Sequence, residues 1–203
     1  MKNESMIKKV TSHRLFMPLL CLAIVLLVSV SYTHSFFAIT MKNGVLYGYM
    51  IDIINRASEL AILAIGMTLV ASSSGGTDIS VGAIMAVTAA VTTYVCAGGE
   101  QSVNQLAGNL AVAILLGLLV SVICGAWNGF LVANLNVQPM VATLILYTAG
   151  RGIAQLITKG QITYIRVDSY KVLGSTIGKS PVPTPIFVAV IMIIISALVL
   201  RYT

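Results

Sequence analysis

The chain has 203 residues, of which 58% are hydrophobic and only 9% are charged. Soluble domains average about 45–50% apolar and about 25% charged residues, so this composition disfavours a water-soluble globule and is typical of a polytopic membrane protein. So few titratable side chains leave little material for catalytic dyads, triads or metal clusters. We therefore expect no catalytic, cofactor-binding or metal site in this chain, and we interpret its three cysteines as buried, inert thiols.

Half of the formal net charge of +6 lies at the amino terminus, where residues 1–14 precede a first apolar segment at about residues 16–33. Positive charge ahead of a first span favours a cytosolic N-terminus. We predict a cytosolic basic tail at residues 1–14 and a transmembrane domain over residues 15–203. A short basic tail is not the folded basic face that a nucleic-acid partner would need. The basic residues of the tail are Lys2, Lys8, Lys9 and Arg14, against Glu4.

Five further apolar segments follow, and each is predicted to be helical because backbone groups in lipid must satisfy their own hydrogen bonds. The last of them is short for a crossing that needs about 20 residues. The prediction is an all-α transmembrane bundle with about six spans. The five segments cover about residues 57–73, 79–97, 110–133, 139–157 and 186–200.

Residues 158–183 form the one long polar segment between these spans. Six crossings from a cytosolic N-terminus place this segment outside, where its four basic residues against one acidic residue oppose the positive-inside tendency. A re-entrant break at residues 72–78, in place of a turn, would invert the segments that follow. The side of the membrane for residues 158–183 therefore stays open.

The stretch Ser-Ser-Ser-Gly-Gly-Thr-Asp at residues 72–78 interrupts the hydrophobic pattern. Its two glycines permit backbone conformations that a helix does not hold, and Thr77 or Asp78 stands where the next helix should have its N-cap. One interpretation is a capped helix start with a carboxylate at the positive end of the helix dipole. The other is a broken-helix polar site near a substrate path. That site would include Ser74, Thr77, Asp78 and Ser80.

Polar residues also recur on one face of the fifth span, at intervals of three and four. They are Thr148, Arg151, Gln155 and Thr158. Such a stripe needs water, protein or substrate beside it. The alternative for Arg151 is that its long side chain extends to the lipid headgroups.

Small residues at steps of four in the fourth span predict close helix packing. For Asn128, in the last turns of the same span, we consider an interhelical hydrogen bond and a place on a substrate path. The packing positions are Gly117, Ser121, Gly125 and Gly129.

A glycine-rich stretch at residues 174–180 is similar to a phosphate-binding loop, but that motif needs four residues between its glycines and a helix after them. Here three residues separate the glycines and prolines follow. We therefore expect any ATP dependence to come from a partner.

Residues 60–86, LAILAIGMTLVASSSGGTDISVGAIMA, resemble the signature of the ribose/galactose-type sugar permeases of ABC importers. Residues 125–158 are similar to the same family's Asn-Gly, Pro-aromatic-x-Ala-Thr-Leu and Arg-Gly-Ile-Ala elements. With IDIINRAS at 51–58 and GQIT at 160–163, the chain most resembles the galactofuranose-type branch. The resemblance covers about residues 15–203.

The resemblance implies a permease subunit in a bacterial inner membrane that moves a monosaccharide, galactofuranose or a related sugar, and is not itself an enzyme. It also implies a second permease subunit, a partner ATPase that binds ATP and Mg, and a periplasmic sugar-binding protein. Family members are usually considerably longer, so we expect this chain to be incomplete at its C-terminus. Departures at Ser74, Thr77, Ile79 and Met140 leave the sugar undetermined.

Neutral sugars need hydroxyl, amide and similar groups along their route, with few fixed charges. Two other functions stay open. An ion-coupled secondary transporter or channel would use Asp78 with Arg151, and a truncated scaffold would only pack through its small-residue face. The candidates for the substrate path are Ser74, Thr77, Asp78, Ser80, Asn128, Thr148, Arg151 and Gln155.

Overall fold

The computed structural model describes residues 15–33, 35–42, 45–172, 174–175 and 182–202. The basic tail at residues 1–14 lies outside the described residues. So does most of the glycine-rich stretch at residues 174–180, which is similar to a phosphate-binding loop. The chain divides into two compact units, Met1–Ile54 and Asn55–Thr203.

Helices account for most of the described residues, and six of the helices are apolar. A single-turn helix, α6, lies in the polar segment before the last apolar helix. The helices are α1 Phe16–Tyr32, α2 Tyr49–Ser74, α3 Val81–Ala97, α4 Leu110–Ala133, α5 Pro139–Thr158, α6 Asp168–Lys171 and α7 Thr184–Tyr202.

Four of the described helices, α2, α4, α5 and α7, are long and apolar enough to cross a membrane. The other two apolar helices, α1 and α3, have 17 residues each. A helix rises about 1.5 Å per residue, so 17 residues extend about 26 Å, which nearly matches a hydrocarbon core of about 30 Å. The protein is a multi-pass helical membrane protein, and the predicted fold class is confirmed.

The observed helix bounds lie within two residues of the predicted ones, except at the start of α2. The predicted start of this span at about residue 57 is wrong, because α2 already begins at Tyr49. The backbone N–H groups of Ile51 and Asp52 donate to the Gly48 carbonyl at 3.0 and 3.1 Å. Asp52 lies in the first turn, where a carboxylate interacts favourably with the helix dipole. The first two turns of α2 are therefore helical although they are polar.

In the first unit, α1 is followed by a hairpin that the sequence analysis did not predict. Strand β1, Thr40–Lys42, pairs antiparallel with β2, Val45–Tyr47. Phe36 is buried, and its ring lies 5.1 Å from the Phe37 ring in an edge contact and 6.3 Å from the Tyr49 ring in a stacked one. This aromatic cluster fixes the segment that enters α2.

In the second unit, α3 packs against both α4 and α5. Small residues form the contact of α3 with α5: a Cβ added at Gly150 would lie 3.1 Å from the Ala83 Cβ. On the α4 side, a Cβ at Gly117 would lie 2.5 Å from the Thr92 Oγ1. Small side chains thus let the helix backbones approach closely, as in other membrane bundles. The buried cluster of this unit consists of Val87, Ala90 and Ala154.

The loops after α3 and α5 are joined by a second, parallel strand pair. Strand β3, Ser102–Val103, pairs with β4, Tyr164–Ile165. The loop after α3 and the loop after α5 therefore lie together, and α3 and α5 run in the same direction. The linker at residues 75–80 and the turn at residues 134–138 lie at the opposite end of these helices.

Candidate functional site

The polar interruption between α2 and α3 forms a short linker at residues 75–80. Gly75 has a φ of 66°, in the left-handed region that glycine adopts without steric cost. Gly76 lies directly against the start of α5, because a Cβ added there would be 2.6 Å from the Pro139 Cβ. A larger residue at this position would push the linker away from α5.

Asp78 organises the start of α3. Its Oδ1 accepts hydrogen bonds from the Ser80 backbone N–H at 2.7 Å and from the Ser80 hydroxyl at 2.6 Å. The helix begins at Val81 with Ser80 as its N-cap residue. The prediction of Thr77 or Asp78 as the N-cap is therefore wrong. The carboxylate instead closes an Asx-type turn onto the residue two positions later, and this turn leads the chain into the helix.

Ser80 connects this turn to α4. The residue has no exposed surface, and the Asn128 Nδ2 donates to its hydroxyl oxygen at 2.9 Å. The interhelical hydrogen bond, one of the two interpretations of Asn128, is thus formed. The Asn128 Oδ1 is buried and has no hydrogen-bond partner among the described residues. Buried acceptors are usually paired, so this oxygen is the unusual atom of the site.

Thr143 fastens the linker to α5. Its Oγ1 accepts a hydrogen bond from the Ile79 backbone N–H at 3.2 Å and donates to the Pro139 carbonyl at 2.9 Å. The sequence analysis missed both Thr143 and Pro139 as members of the site. The available signal was a hydroxyl residue one turn after a helix-starting proline, in a segment that is otherwise apolar near its beginning.

A cavity of about 390 Å³ lies among the linker, the end of α2, the last turns of α4 and the start of α5. We call it the linker cavity. Its volume falls within the range of about 300–1,000 Å³ that is usual for small-molecule sites. The described residues that line it offer hydroxyl, amide and carboxylate groups and include no Lys, Arg or His. They are Val70, Ser73, Ser74, Thr77, Asp78, Gly125, Asn128, Gly129, Val132, Ala133, Pro139 and Thr143.

Five of the candidate path residues meet at this place. Ser74, Thr77, Asp78 and Asn128 line the linker cavity. Ser80 is connected to it through its hydrogen bonds to Asp78 and Asn128. The Ser74 hydroxyl donates to a carbonyl one turn earlier in α2 at 2.8 Å.

The other three candidates, Thr148, Arg151 and Gln155, are not brought to the linker cavity. They lie further along α5 and are exposed. The Arg151 guanidinium lies 4.5 Å from the centroid of the Tyr147 ring, a cation–π contact. The Thr148 hydroxyl donates to the Leu144 carbonyl of its own helix at 3.1 Å.

The pair that an ion-coupled mechanism would use, Asp78 with Arg151, is not joined. The one ion pair among the described residues is in α6, where the Lys171 Nζ lies 2.8 Å from the Asp168 Oδ1. The hydrogen bond and the charge of Lys171 hold the pKa of Asp168 below its ordinary value. Burial raises the pKa of the neighbouring Tyr170, with a smaller contribution from Cys96.

The four small residues of α4 have different surroundings. Gly117 is in close contact with α3. The Ser121 hydroxyl donates to the carbonyl of Leu118 at 2.7 Å. A Cβ added at Gly125 or Gly129 would meet nothing within 4 Å, and both glycines line the linker cavity. Helix packing at these two positions stays a prediction.

A second cavity, of about 460 Å³, lies at the other end of α3 and α5, beside the parallel strand pair. The sequence analysis did not predict it. The close α3–α5 contact at Ala83 and Gly150 separates the two cavities. The described lining residues of the second cavity are Thr93, Tyr94, Gly99, Glu100, Gln101, Ser102, Ile157, Thr158, Lys159 and Thr163.

The described residues contain no cluster of three or more His, Cys, Asp or Glu side chains that could hold a metal ion. The three cysteines are free thiols. Cys96 is buried and Cys124 is half-buried, but Cys21 is exposed on α1, so the prediction that all three are buried is wrong. A thiol on an apolar helix can face lipid as readily as protein, which composition does not distinguish.

Comparison with known families decides the class of this protein. Residues 49–203 match the family described as branched-chain amino acid transport system / permease component. The chain belongs to this permease family. The match includes the linker, the linker cavity and all helices from α2 to α7.

Individual members of the permease family extend the comparison. The chain is 43% identical to the galactofuranose transporter permease protein of Escherichia coli (strain K12), over 91% of this chain and 51% of that protein. It is 31% identical to a fructose import permease protein of Bifidobacterium longum (strain NCC 2705), over 100% of this chain and 56% of that protein. It is 30% identical to the ribose import permease protein of Escherichia coli (strain K12), over 90% of this chain and 53% of that protein.

These relatives confirm the resemblance to sugar permeases, including the galactofuranose-type branch. The chain spans about half the length of the relatives it matches. No solved structure matches the chain.

Proposed function

We propose that this chain is the membrane-spanning translocation subunit of an ABC importer for a monosaccharide, galactofuranose or a related sugar. The family description mentions branched-chain amino acids, whereas the three relatives are named for galactofuranose, fructose and ribose. The sugar assignment rests on the 43% identity to the galactofuranose permease protein over most of this chain.

The chemistry of the linker cavity supports a sugar over an amino acid. An amino acid carries a carboxylate, which needs a cation or several N–H donors when it is desolvated. The described lining residues provide the carboxylate of Asp78 and no cationic side chain. An uncharged polyol, by contrast, can donate to carboxylate and amide oxygens and accept from hydroxyl groups.

The path residues that we propose form two groups. Ser74, Thr77, Asp78, Ser80 and Asn128 would contact the sugar, directly or through one another, at the linker cavity. A separate group on the exposed face of α5 would meet the sugar or another subunit, because polar groups at membrane depth need a polar neighbour. That group comprises Thr148, Arg151 and Gln155.

The proposed complex contains a second permease subunit, identical or different, together with an ABC ATPase and a periplasmic sugar-binding protein. ATP and Mg would bind to the ATPase. Closure of the ATPase on ATP would favour one of two packings of the permease helices and so move the sugar between faces of the membrane. We place the chain in a bacterial inner membrane, with residues 1–14 as a cytosolic tail and residues 15–203 as the permease domain. The basic residues of that tail support this orientation.

Uptake of radiolabelled sugar tests the proposal. Cells that make this chain with an ABC ATPase, a sugar-binding protein and a second, different permease subunit where the same genome encodes one should take up galactofuranose, or a related monosaccharide, only while ATP is available. Asp78→Asn and Arg151→Ala should each lower uptake while membrane insertion is retained, and Ser121→Ala is the control on α4. Uptake that follows an ion gradient and ignores ATP depletion would contradict the proposal.

A further inference from the structure

The Asp78–Ser80–Asn128 chain of hydrogen bonds has a defined direction. A carboxylate only accepts hydrogen bonds, so the single hydroxyl hydrogen of Ser80 points to the Asp78 Oδ1, 2.6 Å away. The Ser80 oxygen then has only lone pairs left for Asn128. The contact at 2.9 Å must therefore come from the amide Nδ2. Asp78 thus fixes, through Ser80, which way the Asn128 amide is turned.

The consequence is that the atom of Asn128 without a partner is always the oxygen. The Asn128 side chain is buried at 7% exposure, and its Oδ1 has no hydrogen-bond partner among the described residues. Asn128 borders the linker cavity, and the glycines before and after it on α4, Gly125 and Gly129, place no side chain there. The Asn128 Oδ1 can be satisfied only by a hydrogen-bond donor, and a ligand in this cavity is one possible source of it.

We propose that the Asn128 Oδ1 is the specificity-determining acceptor for a hydroxyl group of an uncharged polyol in the linker cavity, with Asp78 as the residue that positions the amide through Ser80. This assignment rests on the proposed sugar-permease function. Beyond that function, it identifies the atom of this chain that selects the ligand and explains why that atom is a hydrogen-bond acceptor. An amino acid meets the same oxygen with its ammonium group but leaves its carboxylate beside Asp78 without a cation.

Binding of defined sugars to the whole chain in lipid nanodiscs tests the proposal by calorimetry. The probes are D-galactose, D-ribose and D-fructose, with L-leucine as the charged comparison, followed by the mono-deoxy analogues of the sugar that binds most tightly. For the wild-type chain we expect the loss of one particular hydroxyl to weaken binding at least about tenfold, because the buried acceptor is then left unpaired.

Asn128→Leu should weaken binding of the parent sugar and remove the difference between it and that deoxy analogue. Asp78→Ala should also remove the difference, because the Ser80 hydroxyl then loses its carboxylate acceptor and can turn its hydrogen toward Asn128. Ser121→Ala, whose hydroxyl donates only to the Leu118 carbonyl of its own helix, should keep the wild-type pattern. Asn128→Ser covers the case in which Asn128→Leu does not fold.

Three results would overturn the assignment: no saturable binding of the three sugars to the wild-type chain, a deoxy pattern that persists in Asn128→Leu and Asn128→Ser, or tighter binding of L-leucine than of the sugars. A different result would refute the proposed importer function. Uptake that does not depend on ATP refutes the importer, whereas ATP-dependent sugar uptake with an unchanged deoxy pattern in both Asn128 variants refutes only the role of Asn128.

Discussion

The Asn128 amide donates to the Ser80 hydroxyl at 2.9 Å across 48 positions of the chain. This bond joins the last turns of α4 to Ser80, the residue that immediately precedes α3. Because Ser80 also donates two hydrogen bonds to Asp78, Ser80 links α4 to the rest of the linker at residues 75–80. Two of the segments that line the linker cavity, α4 and the linker, are therefore joined by hydrogen bonds.

A double-mutant cycle measures this coupling. Ser80→Ala removes the acceptor of the buried Asn128 amide and should lower the free energy of unfolding by about 1–3 kcal/mol. In the Ser80→Ala/Asn128→Leu pair the two losses should not add, and the interaction energy should be at least about 0.5 kcal/mol. Chemical unfolding in detergent, followed by the fluorescence of the single tryptophan, Trp127, provides the measurement. Strict additivity would show that the bond does not form.

Because the linker contacts α5 closely, adding a single methyl group at Gly76 should destabilise the folded chain. Gly76→Ala places a Cβ 2.6 Å from the Pro139 Cβ and should destabilise the chain by about 1–3 kcal/mol, the usual cost of overpacking. Gly174→Ala is the matched control, since Gly174 also lies outside a helix and a Cβ there meets nothing within 4 Å. Thermal unfolding in detergent compares the two variants. Equal unfolding midpoints would mean that the linker does not lie against α5.

Two threonines of α5 form a second matched pair. Thr143 is buried and accepts from the Ile79 backbone N–H, whereas Thr148 is exposed and bonds only within its own helix. Thr143→Val should therefore cost about 1–2 kcal/mol by leaving that N–H unpaired. Thr148→Val should change the free energy of unfolding by less than about 0.5 kcal/mol. The reverse order, measured by denaturant unfolding, would remove Thr143 from the site.

The α6 ion pair predicts a pH response of one carboxyl group. Lys171 lowers the pKa of Asp168, so the folded chain holds this group ionised at pH values where an unfolded chain begins to protonate it. Any stabilisation from the pair is present above the unfolded pKa and is lost as the pH falls through the lowered, folded pKa. Lys171→Gln should move the Asp168 pKa upward in a carbon-13 NMR titration. Lys159→Gln, a change of the same charge elsewhere, should leave it unchanged.

Hydrophobic runs were sufficient to predict most of the helices. The bounds of α4 were predicted correctly because uncharged apolar residues run from Leu110 to Ala133 between polar ends. The start of α2 was missed because its first turns, around Asp52 and Arg56, are polar and helical at once. Both strand pairs were missed, since pairing of two or three residues leaves almost no trace in composition.

The site was predicted only as far as local sequence allows. The glycines and Asp78 marked the break between two helices, because such residues rarely occur together inside a membrane span. Local pattern did not reveal that Ser80, not Asp78, precedes the helix, because the carboxylate is turned onto Ser80 by a contact within the folded linker. Thr143 and Pro139 join the site only through tertiary contact.

The parallel pairing of β3 with β4 has a consequence for orientation. Hydrogen bonds at 2.8 and 2.9 Å join residues 101 and 103 to residues 164 and 166, so both loops emerge into the same aqueous compartment. A membrane-impermeant reagent that modifies a cysteine placed at Glu100 therefore reports the compartment of Tyr164 as well. One such labelling experiment assigns a compartment to the loop after α3 and to the loop after α5 together.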